Sequence, residues 1–385
     1  MLRHTNRIRV SLIGLVAAAA ACANDVTPTM PNEIGVPQTT SALNVTSPSI
    51  SAAISNHFAF YHLFNPTQPG ILEFAGPSIF SQPLVQRLGT GNYSVSVPLM
   101  SDVFHPGEKE VVVATTYGST TATCMVDWVS LHAQDALGVV NFCDDISTGA
   151  RTDVEFSVLA VGKNSVGGTT AFARDLTPTV VSLVPDTAFS FTTGTGAMII
   201  NRTAVGVWNV RLGTGNPQGS TFLVSSQREG VVCGLGAFTN AGARVRCFQR
   251  GGSPVDAPFS VVQLSGGRFG TDHSGATVPA AFAWADKAGA TAPYTPNANF
   301  SHSDRGAITV IRSSVGDYQV VFDGFQNPLG DPETVQVTPF GSSYAACSVV
   351  SRTDTGPGTA RNVRVQCRNP SGALVNSRFT IAMLR

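Results

Sequence analysis

One strand pattern is written three times in this chain, and that repeat limits the fold more than any other feature. A β-branched residue, an Arg, a Gly, an aromatic and a Val recur at fixed spacing: Val85, Arg87, Gly91, Tyr93, Val95; Ile200, Arg202, Gly206, Trp208, Val210; and Val310, Arg312, Gly316, Tyr318, Val320. The Arg strand returns at intervals of 115 and 110 residues. A short aromatic strand stands ahead of it, as Phe58-Ala59-Phe60, Phe172-Ala173-Arg174 and Phe282-Ala283-Trp284. Two cysteines follow it: Cys124 and Cys143, Cys233 and Cys247, Cys347 and Cys367. Each copy ends on Gly149, Asp153, Phe156, Val158, or its equivalents Gly252, Asp256, Phe259, Val261 and Gly372, Asn376, Phe379, Ile381. These landmarks place β-repeats at 55–163, 164–268 and 269–385.

Within a repeat the dominant period is two. Tyr93, Val95 and Val97 alternate with Ser94 and Ser96, and Tyr318, Val320 and Phe322 do the same, which is the signature of half-buried strands. Clusters such as Gly89-Thr90-Gly91-Asn92 and Gly251-Gly252-Ser253-Pro254 read as turns between them. The expectation is an all-β chain of three tandem antiparallel β-sandwiches, immunoglobulin-like in architecture only, because the paired cysteines lie too close in sequence for the usual inter-sheet bridge. Repeat logic selects Cys124–Cys143, Cys233–Cys247 and Cys347–Cys367 as disulfides. No C-x-x-C spacing occurs and no His recurs beside the cysteines, so no metal site is assigned.

The N-terminus reads as an export signal over 1–22. Arg3, Arg7 and Arg9 precede an apolar stretch, Val10 to Ala21, that is too short to span a bilayer. Small residues directly before Cys22 resemble a bacterial lipobox, with Ala19 where Leu is usual, which would make Cys22 a lipidation site. The competing reading takes Ala21-Cys22-Ala23 as a simple cleavage site. A Thr-, Pro- and Ser-rich linker over 23–54 suits a tether and favours the lipoprotein. Removing the signal takes three Arg from the 24 basic residues and none of the 24 acids, leaving net −3. No basic field remains for phosphates, so nucleic acid is not an expected partner. Any membrane contact would be through the lipid on Cys22. Residues 55–385 resemble the tandem Cys-paired β-repeats of exported bacterial proteins of unassigned function, a resemblance that implies no activity.

Arg87, Arg202 and Arg312 have two readings: a repeated ligand contact, or pairing with Asp153 and Asp256, which is preferred even though Asn376 replaces the acid in the third copy. Tyr93, Trp208 and Tyr318 are expected in the core, and Trp128 against the first bridge. His57 and His62 have no counterparts in the other copies. Asp144-Asp145 is expected in a solvated loop rather than a Ca²⁺ site. Asp272-His273-Ser274 contains hydrolase residue types, but consecutive residues cannot form a triad, and a linker is expected. No catalytic residue and no cofactor are assigned. The expected function is a non-enzymatic protein, an outer-membrane or surface lipoprotein or a freely secreted one. It would present three modules for adhesion or for a protein or glycan ligand. The alternatives are a secreted enzyme (a hydrolase, say) with its site at a repeat junction, or a purely structural envelope protein.

Overall fold

Alternating apolar and polar residues punctuated by glycine turns give strands and very little helix. The computed structural model describes residues 58–63, 65–67, 72–75, 84–98, 110–132, 136–162, 170–185, 189–266, 278–327, 333–355 and 360–385. The proposed signal and Cys22, the 23–54 linker, His57 and Asp272-His273-Ser274 lie outside them. A first set of strands comprises β1 (Phe58–Leu63), β2 (Leu72–Ala75), β3 (Leu84–Gly89), β4 (Asn92–Pro98), β5 (Glu110–Thr116), β6 (Ala122–His132), β7 (Ala136–Asp145) and β8 (Phe156–Gly162). The second comprises β9 (Thr170–Asp175), β10 (Ser182–Leu183), β11 (Phe191–Thr192), β12 (Met198–Ala204), β13 (Val207–Leu212), β14 (Ser220–Ser226), β15 (Val231–Thr239), β16 (Gly242–Gln249) and β17 (Phe259–Ser265). The third comprises β18 (Ala280–Ala285), β19 (His302–Ser303), β20 (Ile308–Ser314), β21 (Asp317–Phe322), β22 (Thr334–Phe340), β23 (Ala346–Asp354), β24 (Arg361–Arg368) and β25 (Arg378–Leu384).

The protein is all-β, with several antiparallel sheets and three disulfides. In each set one run of strands holds the cysteines: β3-β4-β7-β6, β12-β13-β16-β15 and β20-β21-β24-β23. A second run contains the closing Phe strand: β2-β1-β8-β5, β11-β9-β17-β14 and β19-β18-β25-β22. One parallel bridge, Leu235 to Phe340, merges two of these six runs into a nine-stranded sheet that β10 extends at one edge. β-Bulges fall at matching places, between Arg87 and Gly89, Arg202 and Ala204, and Arg312 and Ser314. A second series lies between Val126 and Trp128, Leu235 and Ala237, and Val349 and Ser351. The Asp127 bulge changes the expected placement of Trp128: it brings Val129 opposite Val139, in line with Cys124, and puts Trp128 opposite Val140.

Each set packs a sandwich-like core between its two runs. In the first this core includes Val85, Tyr93, Val112, Val126, Phe156 and Val158. The Phe-strand sheets are buried on their other face too. Val111, Leu159, Phe172, Leu223, Phe282 and Leu384, drawn from all three sets, form one shared cluster. Strands covered on both faces need continuous burial, and every residue of β8 and β14 is buried.

The edges of β14 and β22 are met by side chains of a neighbouring set. Val337 N–H donates to Thr115 Oγ1 at 3.0 Å, and Val224 N–H to Thr338 Oγ1 at 2.9 Å. Thr380 Oγ1 donates to Phe222 O at 2.8 Å, and the Ser157 and Thr334 hydroxyls meet at 2.7 Å. These hydroxyls are buried because backbone groups removed from water need partners.

One residue at the C-terminal end of β5, β14 and β22 decides each joint: it directly follows β5 and β14 and is the last residue of β22. Tyr117 joins the third set's core, and its hydroxyl bridges Val335 N–H and Val335 O, each at 3.1 Å. Phe340 joins the second set's core. Gly118 N–H donates to Val349 O, and the equivalent Gly341 N–H to Leu235 O. At the third joint the corresponding residue is Gln227, whose Nε2 donates to Ser260 Oγ at 2.6 Å within its own set. Tyr117→Phe removes the partner of two buried backbone groups and is expected to cost about 1–3 kcal/mol in denaturant unfolding. Tyr117→Ala should cost about 3–5 kcal/mol. An alanine variant as stable as the parent would show that the ring does not hold this seam.

Candidate functional site

The repeated arginines meet the acids at the end of the molecule that carries the tight β3–β4 turn and its equivalents. Arg87 Nη2 donates to Asp153 Oδ2 at 2.7 Å, while Gly91 N–H and the Tyr93 hydroxyl donate to Oδ1 at 2.9 and 2.6 Å. Arg202 Nε and Nη2 reach Asp256 at 2.9 and 2.8 Å, beside Gly206 N–H at 2.8 Å. Arg312 Nε and Gly316 N–H both donate to Asn376 Oδ1 at 2.9 Å. The third copy keeps the acceptor and loses only the charge. Gly91, Gly206 and Gly316 have φ of 61, 66 and 67°, and a Cβ at Gly91 would lie 2.4 Å from Cys143 O. Each clasp therefore ties a turn to the connection that follows the strand holding the second cysteine. The paired cysteines face each other across adjacent strands, 4.0–4.1 Å apart at Cα. Burial pushes the Asp153 carboxyl up, but the bonds from Arg87, Tyr93 and Gly91 outweigh it and bring it down to about 2. Tyr93, Trp208 and Tyr318 are buried in their cores.

Most connections at this end keep their length across the three sets to within one residue: 90–91, 205–206 and 315–316; 117–121, 227–230 and 341–345; 146–155, 250–258 and 369–377. The first connection of each set differs more, running over 64–71, 176–190 and 286–301. The remaining connections within a set also vary more: 76–83, 193–197 and 304–307; 99–109, 213–219 and 323–333, of which the first and last are equal; 133–135, 240–241 and 355–360. The second set has a cleft of about 430 Å³ there, lined by Thr193 to Gly196, Arg211, Gly213 to Gly215 and Ala241. A smaller cavity of about 30 Å³ lies where the three sets meet, lined among others by Thr115, Cys124, Ser225, Cys233 and Cys347. It has room for little more than a water or two.

Two expectations need correction. Asp144-Asp145 is not a solvated loop. Asp144 is 2 % exposed and pairs with Arg151 at 3.2 Å. Asp145 accepts from Ser147 and Thr148 N–H at 3.0 and 2.8 Å, folding the turn upon itself. His62 does have counterparts. Phe60 pairs with Leu159, Phe172 with Val262 and Phe282 with Ala382, all three places after a closing Phe. The aromatic strands therefore align two residues away from their F-A match, and His62, Arg174 and Trp284 are equivalent. Each touches the joint residue of its own set. His62 lies edge-on to Tyr117 with centroids 4.1 Å apart, Arg174 Nε donates to Gln227 Oε1, and Trp284 lies 4.9 Å from Phe340. Sequence comparison missed these pairs because residue type changes completely from copy to copy, and only the strand register reveals them.

Comparison with known families, curated proteins and solved structures finds no match for the chain. Among the described residues, no group of three or more His, Cys, Asp or Glu could hold a metal ion.

Burial, and then the Arg352 charge, hold the His62 imidazole down to about 2 from its ordinary 6.5. The unfolded chain therefore takes up the proton first, so His62 costs no stability above pH 6.5 and lowers it progressively below. The expected slope is about 1.4 kcal/mol per pH unit. Between pH 6.5 and 5, a His62→Gln variant should lose about 2 kcal/mol less than the parent in denaturant midpoints. Parallel slopes would show that His62 stays protonated in the fold. At Asp153, Asn should be tolerated better than Ala, since Asn376 holds the same Gly N–H in the third set. Equal melting temperatures for Asp153→Asn and Asp153→Ala would contradict the clasp's role as an acceptor.

Proposed function

We propose that the chain is an exported, non-enzymatic binding protein in which three copies of one two-sheet module close into a ring. Residues 1–22 would direct export and 23–54 would form the tether, with Cys22 either acylated or removed with the signal. The observation that carries this reading is the set of three disulfides, one inside each copy, since such bonds persist in oxidising compartments. The Phe-strand sheets are used up against one another in the shared core. The disulfide sheets and the loops at their ends are what remain for a partner. Those loops differ from copy to copy at one end, where recognition is expected to concentrate. A protein or glycan of the cell envelope or its surroundings is the partner that fits, and a mature net charge of −3 argues against nucleic acid.

The test is the mature chain incubated with a panel of envelope polysaccharides and glycoproteins, scored both for retention and for released product. Retention without product is expected. Product release from any panel member would replace this reading with the enzyme alternative, and no retention at all would remove it.

A further inference from the structure

Around its cleft the second module departs from the third at four neighbouring positions. Leu212 and Phe322 end equivalent strands, so Gly213, Thr214 and Gly215 correspond by count to Asp323, Gly324 and Phe325. The flanking loops meet in both modules, with donor and acceptor exchanged: Gly196 N–H donates to Gly213 O, whereas Asp323 N–H donates to Ala307 O, each at 3.0 Å. In the third module Phe325 is fully buried in the core, and Arg305 lies over its ring at 5.3 Å while donating to Gly324 O at 3.0 Å. The second module puts Gly215 in place of that ring and Thr195 in place of that arginine, which leaves a cleft of about 430 Å³. It also has Gly213 in place of the Asp323 carboxylate and Arg211 in place of Val321. The space is cleared, and the oppositely charged Arg305 and Asp323 give way to a single cation.

No acidic side chain lines the cleft among the described residues. Arg211 is exposed on its wall and forms no ion pair among them. Gly213 and Gly215 take φ of 77 and 80°, and the Thr214 and Gly215 N–H groups donate to no other group among the described residues. Successive amides at such a turn form an anion-receiving concavity. A guanidinium beside it adds charge-assisted bonds in a planar fork suited to carboxylate and sulfate. Thr193 and Thr195 supply hydroxyls on the same wall.

We propose that this cleft binds an oxyanion group, carboxylate or sulfate, with room for a hydroxyl-rich molecule bearing it. This deepens the binding reading above and names the chemistry of one of its sites. The experiment is calorimetric titration of the mature chain with glucuronate, glucose and inorganic sulfate at low salt. Glucuronate or sulfate should bind saturably and glucose should not, with affinity falling as salt is raised. Tighter binding of glucuronate than of sulfate supports an acidic saccharide as the source, and equal binding supports a free inorganic oxyanion. Arg211→Gln, at an exposed position, should weaken binding about tenfold with an unchanged melting temperature. Gly215→Asn, where an added Cβ meets nothing within 4 Å, should weaken it by projecting a side chain into the cleft. No saturable anion binding, or binding undiminished in Arg211→Gln, overturns the proposal. Polysaccharide retention by the whole chain that survives Arg211→Gln would overturn the cleft and leave the binding reading in place.

Discussion

Three strand edges buried at the centre of the molecule set the terms for everything around them. A sheet edge presents a row of unpaired N–H and C=O groups, and β5, β14 and β22 present theirs to protein rather than to water. Small hydroxyls answer this need on β14 and β22: Thr115, Thr338 and Thr380 each bond a backbone group there. A larger apolar residue at Thr115 would strand Val337 N–H, and a charged one would need its own partner. The hydroxyl positions recur, with Ser157, Ser260 and Thr380 each following a closing Phe, so the polar layer is part of the repeated pattern rather than an accident of one copy.

The joints built on those edges are not equal. Two are filled by an aromatic knob that sits in the next module's core, Tyr117 in the third and Phe340 in the second. The joint between the first and second modules has no aromatic at that place. Gln227 turns back onto Ser260 and Arg174, and the seam is crossed instead by Arg151 to Glu229 at 2.8 Å and Arg250 to Thr148 O at 2.7 Å. Partly exposed ion pairs contribute less than buried rings and weaken with salt. The proposed ring would therefore be held firmly at two seams and more loosely at the third.

The strand alternation, the cysteine pairs and the Arg-to-acid clasp were all legible in sequence, because each depends on residue types that cannot change freely. An αL glycine at position 91, 206 or 316 and an acceptor at 153, 256 or 376 are demanded by local geometry. The joints and the cleft were not legible. His62, Arg174 and Trp284 share a position but no chemistry, so no comparison of letters could group them. The F-A dipeptide even suggested a register two residues off, because Phe58 imitates Phe172 while the strand pairs through Phe60. The bulge at Asp127 was hidden for a related reason: it interrupts alternation without any glycine or proline to mark it.

The proposed fusion of three copies in one chain would explain why some positions stay constant while others diverge. In a homotrimer one substitution appears at all three interfaces at once, so each must suit every joint. Here each joint is encoded separately, and Tyr117 with His62, Phe340 with Trp284 and Gln227 with Arg174 are three independent solutions to one seam. The same freedom applies at the loop end, where Phe325 completes a core in the third module and Gly215 leaves a cleft in the second. Positions facing only their own module, such as the cysteines and the clasp, gain nothing from that independence, because every copy must fold around the same two sheets. Divergence accordingly collects at the seams and at the outer loops, the two places where a copy meets something other than itself.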